Sequence, residues 1–87
     1  MTKPPAYDLI LVEWVDASRI SQNWINLGEI PEPYPHRCLS VGYLVAENEH
    51  ALVLVPNFGS VDDPQDIHAY GGVMIPVHAV RKRKLLR

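Results

Sequence analysis

Cysteine occurs once in these 87 residues, at Cys38, so the chain has no internal disulfide framework and offers a metal a single thiolate. No apolar run approaches the ~20 residues needed to span a bilayer. The opening Met1-Thr2-Lys3-Pro4-Pro5 lacks the basic-then-apolar layout of a signal peptide. Together these absences predict a soluble protein of a reducing, cytoplasmic compartment, without a membrane partner. Catalytic patterns are equally scarce. His36, His50, His68 and His78 fall in four separate segments with no H-x-x-H or H-E-x-x-H spacing. Ser40-Val41-Gly42 lacks the first glycine of a nucleophile elbow. Gly71-Gly72 has neither the lysine nor the helix that a phosphate loop requires. Asp62, Asp63 and Asp66 lack the alternating oxygens and closing glutamate of a calcium loop, and read as solvated loop charge. Cys38 opens an apolar strand with no base nearby in sequence, which suits a structural thiol. The expectation is a protein that is not an enzyme and uses no cofactor and no metal.

What the chain does have is β-strand pattern. A chain this short is one domain, 1–87, and buries only about 60–65% of the surface its unfolded form exposes. The segment 7–15 carries Leu9, Ile10, Leu11 and Val12 in succession and then Trp14, which suits a strand covered on both sides. Asp16 or Ser18 is placed to cap a short helical turn over residues 18–25. Residues 29–37 contain Pro31, Pro33 and Pro35, which forbid ladder hydrogen bonds at three positions and mark an extended connector. Segments 38–46 and 51–56 form a hairpin around Glu47-Asn48-Glu49-His50, where Asn48 tolerates the left-handed region. Gly42 within a strand signals a bulge or a close backbone approach. Residues 57–71 have no period and read as a long mobile loop, the usual place for binding on a small barrel.

The last third is the most specific part. The run Gly72-Val73-Met74-Ile75-Pro76 ends in a proline, one short turn follows at residues 77–79, and Val80 begins a second strand with a basic exterior. This predicts the corner of a mainly β fold, a small barrel of about five strands with one or two short helical turns. Its core is expected to hold Leu9, Leu11, Trp14, Val41, Leu44, Val53, Val55, Val73, Ile75 and Val80.

The net charge of −2 conceals an uneven layout: residues 1–80 set ten acidic side chains against Lys3, Arg19 and Arg37, while Arg81, Lys82, Arg83, Lys84 and Arg87 crowd the last seven positions. Alternating basic residues on an edge strand discourage sheet-to-sheet aggregation. The same cluster, the basic C-terminal strand or tail 81–87, also suits contact with nucleic acid or with an acidic surface, including that of another copy of the chain. Against nucleic acid stands the body's balance of −7, which repels phosphate.

Among the aromatic residues, Trp24 lies between polar Gln22, Asn23 and Asn26, and fits either a lid folded over the barrel or an anchor for a partner. Tyr34 and Tyr70 lie in predicted loops on either side of the same opening, and Phe58 joins them as a candidate partner-binding residue.

Two resemblances follow from these segments. The order of strand, long loop, hairpin, loop, strand ending Ile75-Pro76, one turn and a strand from Val80 resembles an SH3-like barrel. The aromatic-acidic signature of true SH3 domains is absent from the first strand, so their proline-peptide groove is not carried over. The pattern Trp14-Val15-Asp16-Ala17, Trp24, Cys38-Leu39-Ser40-Val41-Gly42-Tyr43-Leu44, an acidic hairpin tip, and Ile75-Pro76 followed by Val80 resembles short proteins encoded by tailed bacteriophages and prophages. That resemblance implies a phage accessory protein acting in the host cytoplasm by binding a host or phage protein, with self-association through an open barrel edge. It implies no activity. The alternative is a small nucleic-acid-binding barrel that uses Arg81, Lys82, Arg83, Lys84 and Arg87.

Overall fold

The computed structural model describes residues 6–87; the sequence reading of Met1 to Pro5 lies outside the described residues. The fold is mainly β. Strands β1 (Leu9–Asp16), β2 (His36–Glu47), β3 (Ala51–Val55), β6 (Val73–Pro76) and β7 (Val80–Leu85) form one antiparallel sheet in the order β6-β3-β2-β1-β7. Strands β4 (Asn57–Gly59) and β5 (His68–Tyr70) pair separately as a two-stranded ribbon. Helix among the described residues is limited to the 3-10 turns Leu27–Glu29 and Val77–Ala79.

The connection from β6 to β7 dictates the shape. These consecutive strands occupy opposite edges of a five-stranded sheet, joined only by the turn Val77–Ala79. Laid flat, the two edges would be about 19 Å apart at ~4.8 Å per strand. A three-residue 3-10 turn at ~2.0 Å rise spans roughly 8 Å between its flanking residues. The sheet therefore curls until its edges approach at that turn. Closure stops there, because no ladder joins β6 to β7: the expected barrel is an open, curled sheet. Pro76 removes one edge donor, and the Val77 N–H that follows is drawn to the His50 carbonyl at 2.9 Å rather than to β7.

The concave face carries the core: Ile10 and Val12 from β1, Leu52 and Leu54 from β3, and Ile75 from β6, flanked by Trp14, Leu44, Val73, Ala79 and Val80. Ile75 and Val55 are buried as expected from sequence, and Trp14, Leu44, Val73 and Val80 pack at the margin. Leu9, Leu11, Val41 and Val53 do not belong to this core. Their strands are apolar on both faces, and a one-residue change of phase sends the whole set to the other side. On β2 the concave row is instead Cys38, Ser40, Gly42 and Leu44, of which the first three are small and leave room for the bulky partners opposite. Trp14 fills the space over Ser40, its indole Nε1 donating to the Ser40 hydroxyl at 3.0 Å.

Gly42 permits the tightest part of the curl. A Cβ there would stand 3.1 Å from the Leu54 Cβ and 3.2 Å from both the Val55 nitrogen and oxygen, so β3 can approach only because the side chain is missing. The β2–β3 register shifts just beyond it, between Leu44 and Ala46. The turn of this hairpin is held by Asn48, whose Oδ1 accepts the His50 and Ala51 N–H groups at 2.8 and 3.0 Å. Asn48 does not use the left-handed region; Ser60 is the one non-glycine residue with positive φ among those described.

Two loop expectations change. Residues 57–71 are not structureless, since Phe58 pairs with Ala69 in the β4–β5 ribbon; strands of three residues are too short to display a period. The helical turn expected over residues 18–25 is absent, and the only turn of the excursion lies later, at Leu27–Glu29. In that segment the Ser21 hydroxyl donates to the Asn23 carbonyl, a local bond that competes with helix.

Candidate interaction surface

The excursion between β1 and β2 begins and ends at paired residues, Asp16 opposite His36, yet spends residues 17–35 away from the ladder. Every one of these residues except Ser21 and Ile25 is exposed. Its backbone hydrogen bonds among the described residues are local: Glu29 N–H to the Asn26 carbonyl at 2.9 Å and Ile30 N–H to the Leu27 carbonyl at 3.3 Å. The outgoing leg near Asp16 to Ile20 and the returning leg near Ile30 to Tyr34 border a cleft of about 460 Å³. The proline spacing accounts for the extended return, because Pro31, Pro33 and Pro35 cannot donate to a neighbouring strand. The result is an arm that continues the line of β1 and β2. The chain measures 60 × 25 × 21 Å with a radius of gyration of 17.4 Å, against about 12 Å for a compact domain of this length.

Trp24 stands near the tip of the arm and is fully exposed, at 104% of its reference area. That rules out its folding back as a lid. Leu27 at 88% and Tyr34 at 73% are almost as open. Phe58 and Tyr70 belong elsewhere. Phe58 is partly buried and packs on Tyr43 at 5.0 Å and Tyr7 at 5.9 Å between ring centroids, so its ring fastens the ribbon to the sheet. Tyr70 is exposed on β5, with its carbonyl accepting from the Asn57 side chain at 3.2 Å. The ribbon sits at the Leu9–Tyr43 end of the β1–β2 ladder and the arm at the Asp16–His36 end, about 23 Å along the strands. Tyr34 and Tyr70 therefore do not flank one opening.

The basic segment forms edge strand β7, with Arg87 beyond it; the Leu9 N–H donates to the Arg87 carbonyl at 2.9 Å. Arg83 pairs with Glu47 at 3.1 Å, and Arg81 donates to the His78 carbonyl at 3.0 Å. Lys82, Lys84 and Arg87 make no ion pair among the described residues. Lys82 and Lys84 face the convex side, in the cross-strand rows Lys84–Leu11–Val41 and Lys82–Glu13–Leu39. Leu39 is 58% and Val41 52% exposed. A shallow depression of about 190 Å³ lies between this apolar strip and the lysines. The strip was hidden in the sequence because Leu11 and Val41 read as core; the signal that separates the two faces is Trp14, which needs small residues opposite it and so sends Leu39 and Val41 outward.

Glu13 sits within this basic surroundings. The Arg37 guanidinium, 2.8 Å away, holds its carboxyl below the usual glutamate value by hydrogen bonding, opposed by partial desolvation and reinforced by the charges of Arg37 and Lys82. The histidines remain dispersed, and no group of three or more His, Cys, Asp or Glu is gathered closely enough to hold a metal among the described residues. Cys38 is half-buried opposite Trp14. No helix of the described residues is long and apolar enough to cross a membrane. No protein-family model matches the chain, and no curated protein or solved structure matches it either.

Proposed function

We propose that this chain is a non-catalytic protein-interaction module, an accessory protein of the tailed-phage type that its motifs resemble, with the arm as its contact element and Trp24 as the anchor. The observation that carries the reading is the complete exposure of Trp24 on an arm that no hydrogen bond from residues 19–34 ties to the sheet among the described residues. An indole left in water gives up the largest apolar burial any side chain offers, and tryptophan is the residue most enriched at binding hot spots. Strand order and the 3-10 turn before β7 support the SH3-like reading of the scaffold, on which long loops carry the contact.

Native copurification from the bacterial host, wild type beside Trp24→Ala and Tyr34→Ala, tests this. Wild type is expected to retain a specific protein and Trp24→Ala to lose it with the fold intact. Capture unchanged in both variants would overturn the assignment to the arm. A submicromolar, salt-steep affinity for DNA or RNA, abolished by neutralising Arg81, Lys82, Arg83 and Lys84, would replace it with the nucleic-acid reading; each phosphate contact then contributes about 0.7–0.9 to the logarithmic salt slope.

A further inference from the structure

The arm and the convex face are two unpartnered surfaces of one chain, and their chemistry matches. Around residues 26–35 the backbone is extended or 3-10, with Asn26 at φ −64°, ψ 139° and Ile30 at φ −60°, ψ 127°, conformations that repeat about every three residues. That period puts Leu27, Ile30 and Pro33 in one row of the returning leg and Glu29 and Glu32 in the next, and Ile30, Glu32 and Pro33 all border the open cleft between the two legs. The convex face presents the reverse: Leu11, Val41 and Leu39 with Lys82 and Lys84 along their edge, in rows with side chains about 5 Å apart, and Glu13, which stands between Leu39 and Lys82, is paired with Arg37 so that the face stays net basic. The other half of that face is already covered, since Phe58 lies against Tyr43. The half carrying the lysines is not.

Area points the same way. A compact chain of 9.8 kDa exposes about 5,200 Å², and this one exposes 7277 Å². The excess, roughly 2,000 Å² per chain, is more than the ~800 Å² that each partner of a standard-sized interface removes from water, so the area is sufficient for a stable pair. Pairing through sheet edges is poorly served, because β6 ends in Pro76 and β7 is lined with lysine and arginine. We infer that the partner of the arm is a second copy of this chain, with the apolar and acidic side of residues 27–33 seated on the Leu11–Leu39–Val41 strip and Glu29 and Glu32 facing Lys82 and Lys84 of the other protomer. This rests on the interaction-module reading and names its partner.

Sedimentation equilibrium of the purified chain, from micromolar to submillimolar concentration, tests it together with two charge reversals of exposed residues, one on the arm (Glu29→Lys with Glu32→Lys) and one on the face (Lys82→Glu with Lys84→Glu). Wild type is expected to associate with rising concentration, and Leu27→Ala to weaken association by about tenfold or more, the effect of truncating an apolar side chain at the centre of a contact. Each charge-reversed variant alone is expected to be monomeric, and their mixture to associate, because arm and face are then complementary in both directions. A wild type monomeric at every concentration overturns the inference, whether the arm stands free or folds onto its own sheet. If such a monomer still captures a host protein through Trp24, the interaction module stands and only the second copy falls. Association that survives both reversals overturns the inference in favour of edge pairing.

Discussion

The curled sheet and the arm both carry large apolar side chains, and they use them in opposite ways. Ile75, Leu52, Leu54 and Val12 are 0–2% exposed, each closed in by strands from other parts of the chain. Trp24 and Leu27 belong to a segment whose backbone bonds stay within four residues. The difference shows that hydrophobic composition alone does not bury a residue. Burial needs a second surface, and the ladder supplies one to the sheet while three prolines withhold one from the return leg of the arm. In the sheet, apolar area stabilises the fold; in the arm it remains for an encounter.

The contrast breaks first if the core is not where the curl puts it. Ile75→Ala should lower unfolding stability by about 2–5 kcal/mol in denaturant titration, the range for deleting a buried aliphatic side chain. A loss under ~0.5 kcal/mol, the surface range, would mean that the concave face is not the packed one. Gly42→Ala comes next. The added methyl meets the Leu54 side chain and the Val55 backbone of β3, and the overpacking should cost about 1–3 kcal/mol in the same assay. If the variant is as stable as wild type, the close approach of β2 and β3 is not required for the curl.

The arm gives the other side of the comparison. Trp24→Ala should change stability by less than ~0.5 kcal/mol at concentrations where the chain is monomeric, despite removing the larger side chain. A loss as large as that of Ile75→Ala would show that the indole is covered within its own chain. The smallest effect concerns Glu13 and Arg37. Because the folded pKa of Glu13 lies below its unfolded value, the pair stabilises the fold above the unfolded value, and the contribution disappears as pH falls through the folded one. Carbon-detected NMR titration should place the Glu13 carboxyl below ordinary glutamates, and Arg37→Ala should move it upward. An unshifted Glu13 in Arg37→Ala would assign the depression to Lys82 alone.

Several local features could be read directly from sequence because each depends on residues close in the chain. The central hairpin follows from two apolar strands around a polar tip, and the turn at Val77–Ala79 from a proline-ended strand followed almost at once by another. Gly42 announced a close approach, and the basic residues of β7 announced an edge. These are matters of covalent geometry and of the two-residue repeat of a strand, which need no knowledge of the rest of the fold.

The facing of the strands was settled only in three dimensions. Leu9-Ile10-Leu11-Val12 satisfies either phase, and the choice fell to the direction of curl, to Trp14 over Ser40, and to Phe58, which occupies the convex face near Tyr43. The same curl turned Leu39 and Val41 outward beside Lys82 and Lys84. The path of the arm is likewise a tertiary outcome: its prolines determine that it is extended, but whether an extended segment lies on its own sheet or leaves it depends on which surfaces the sheet has already covered.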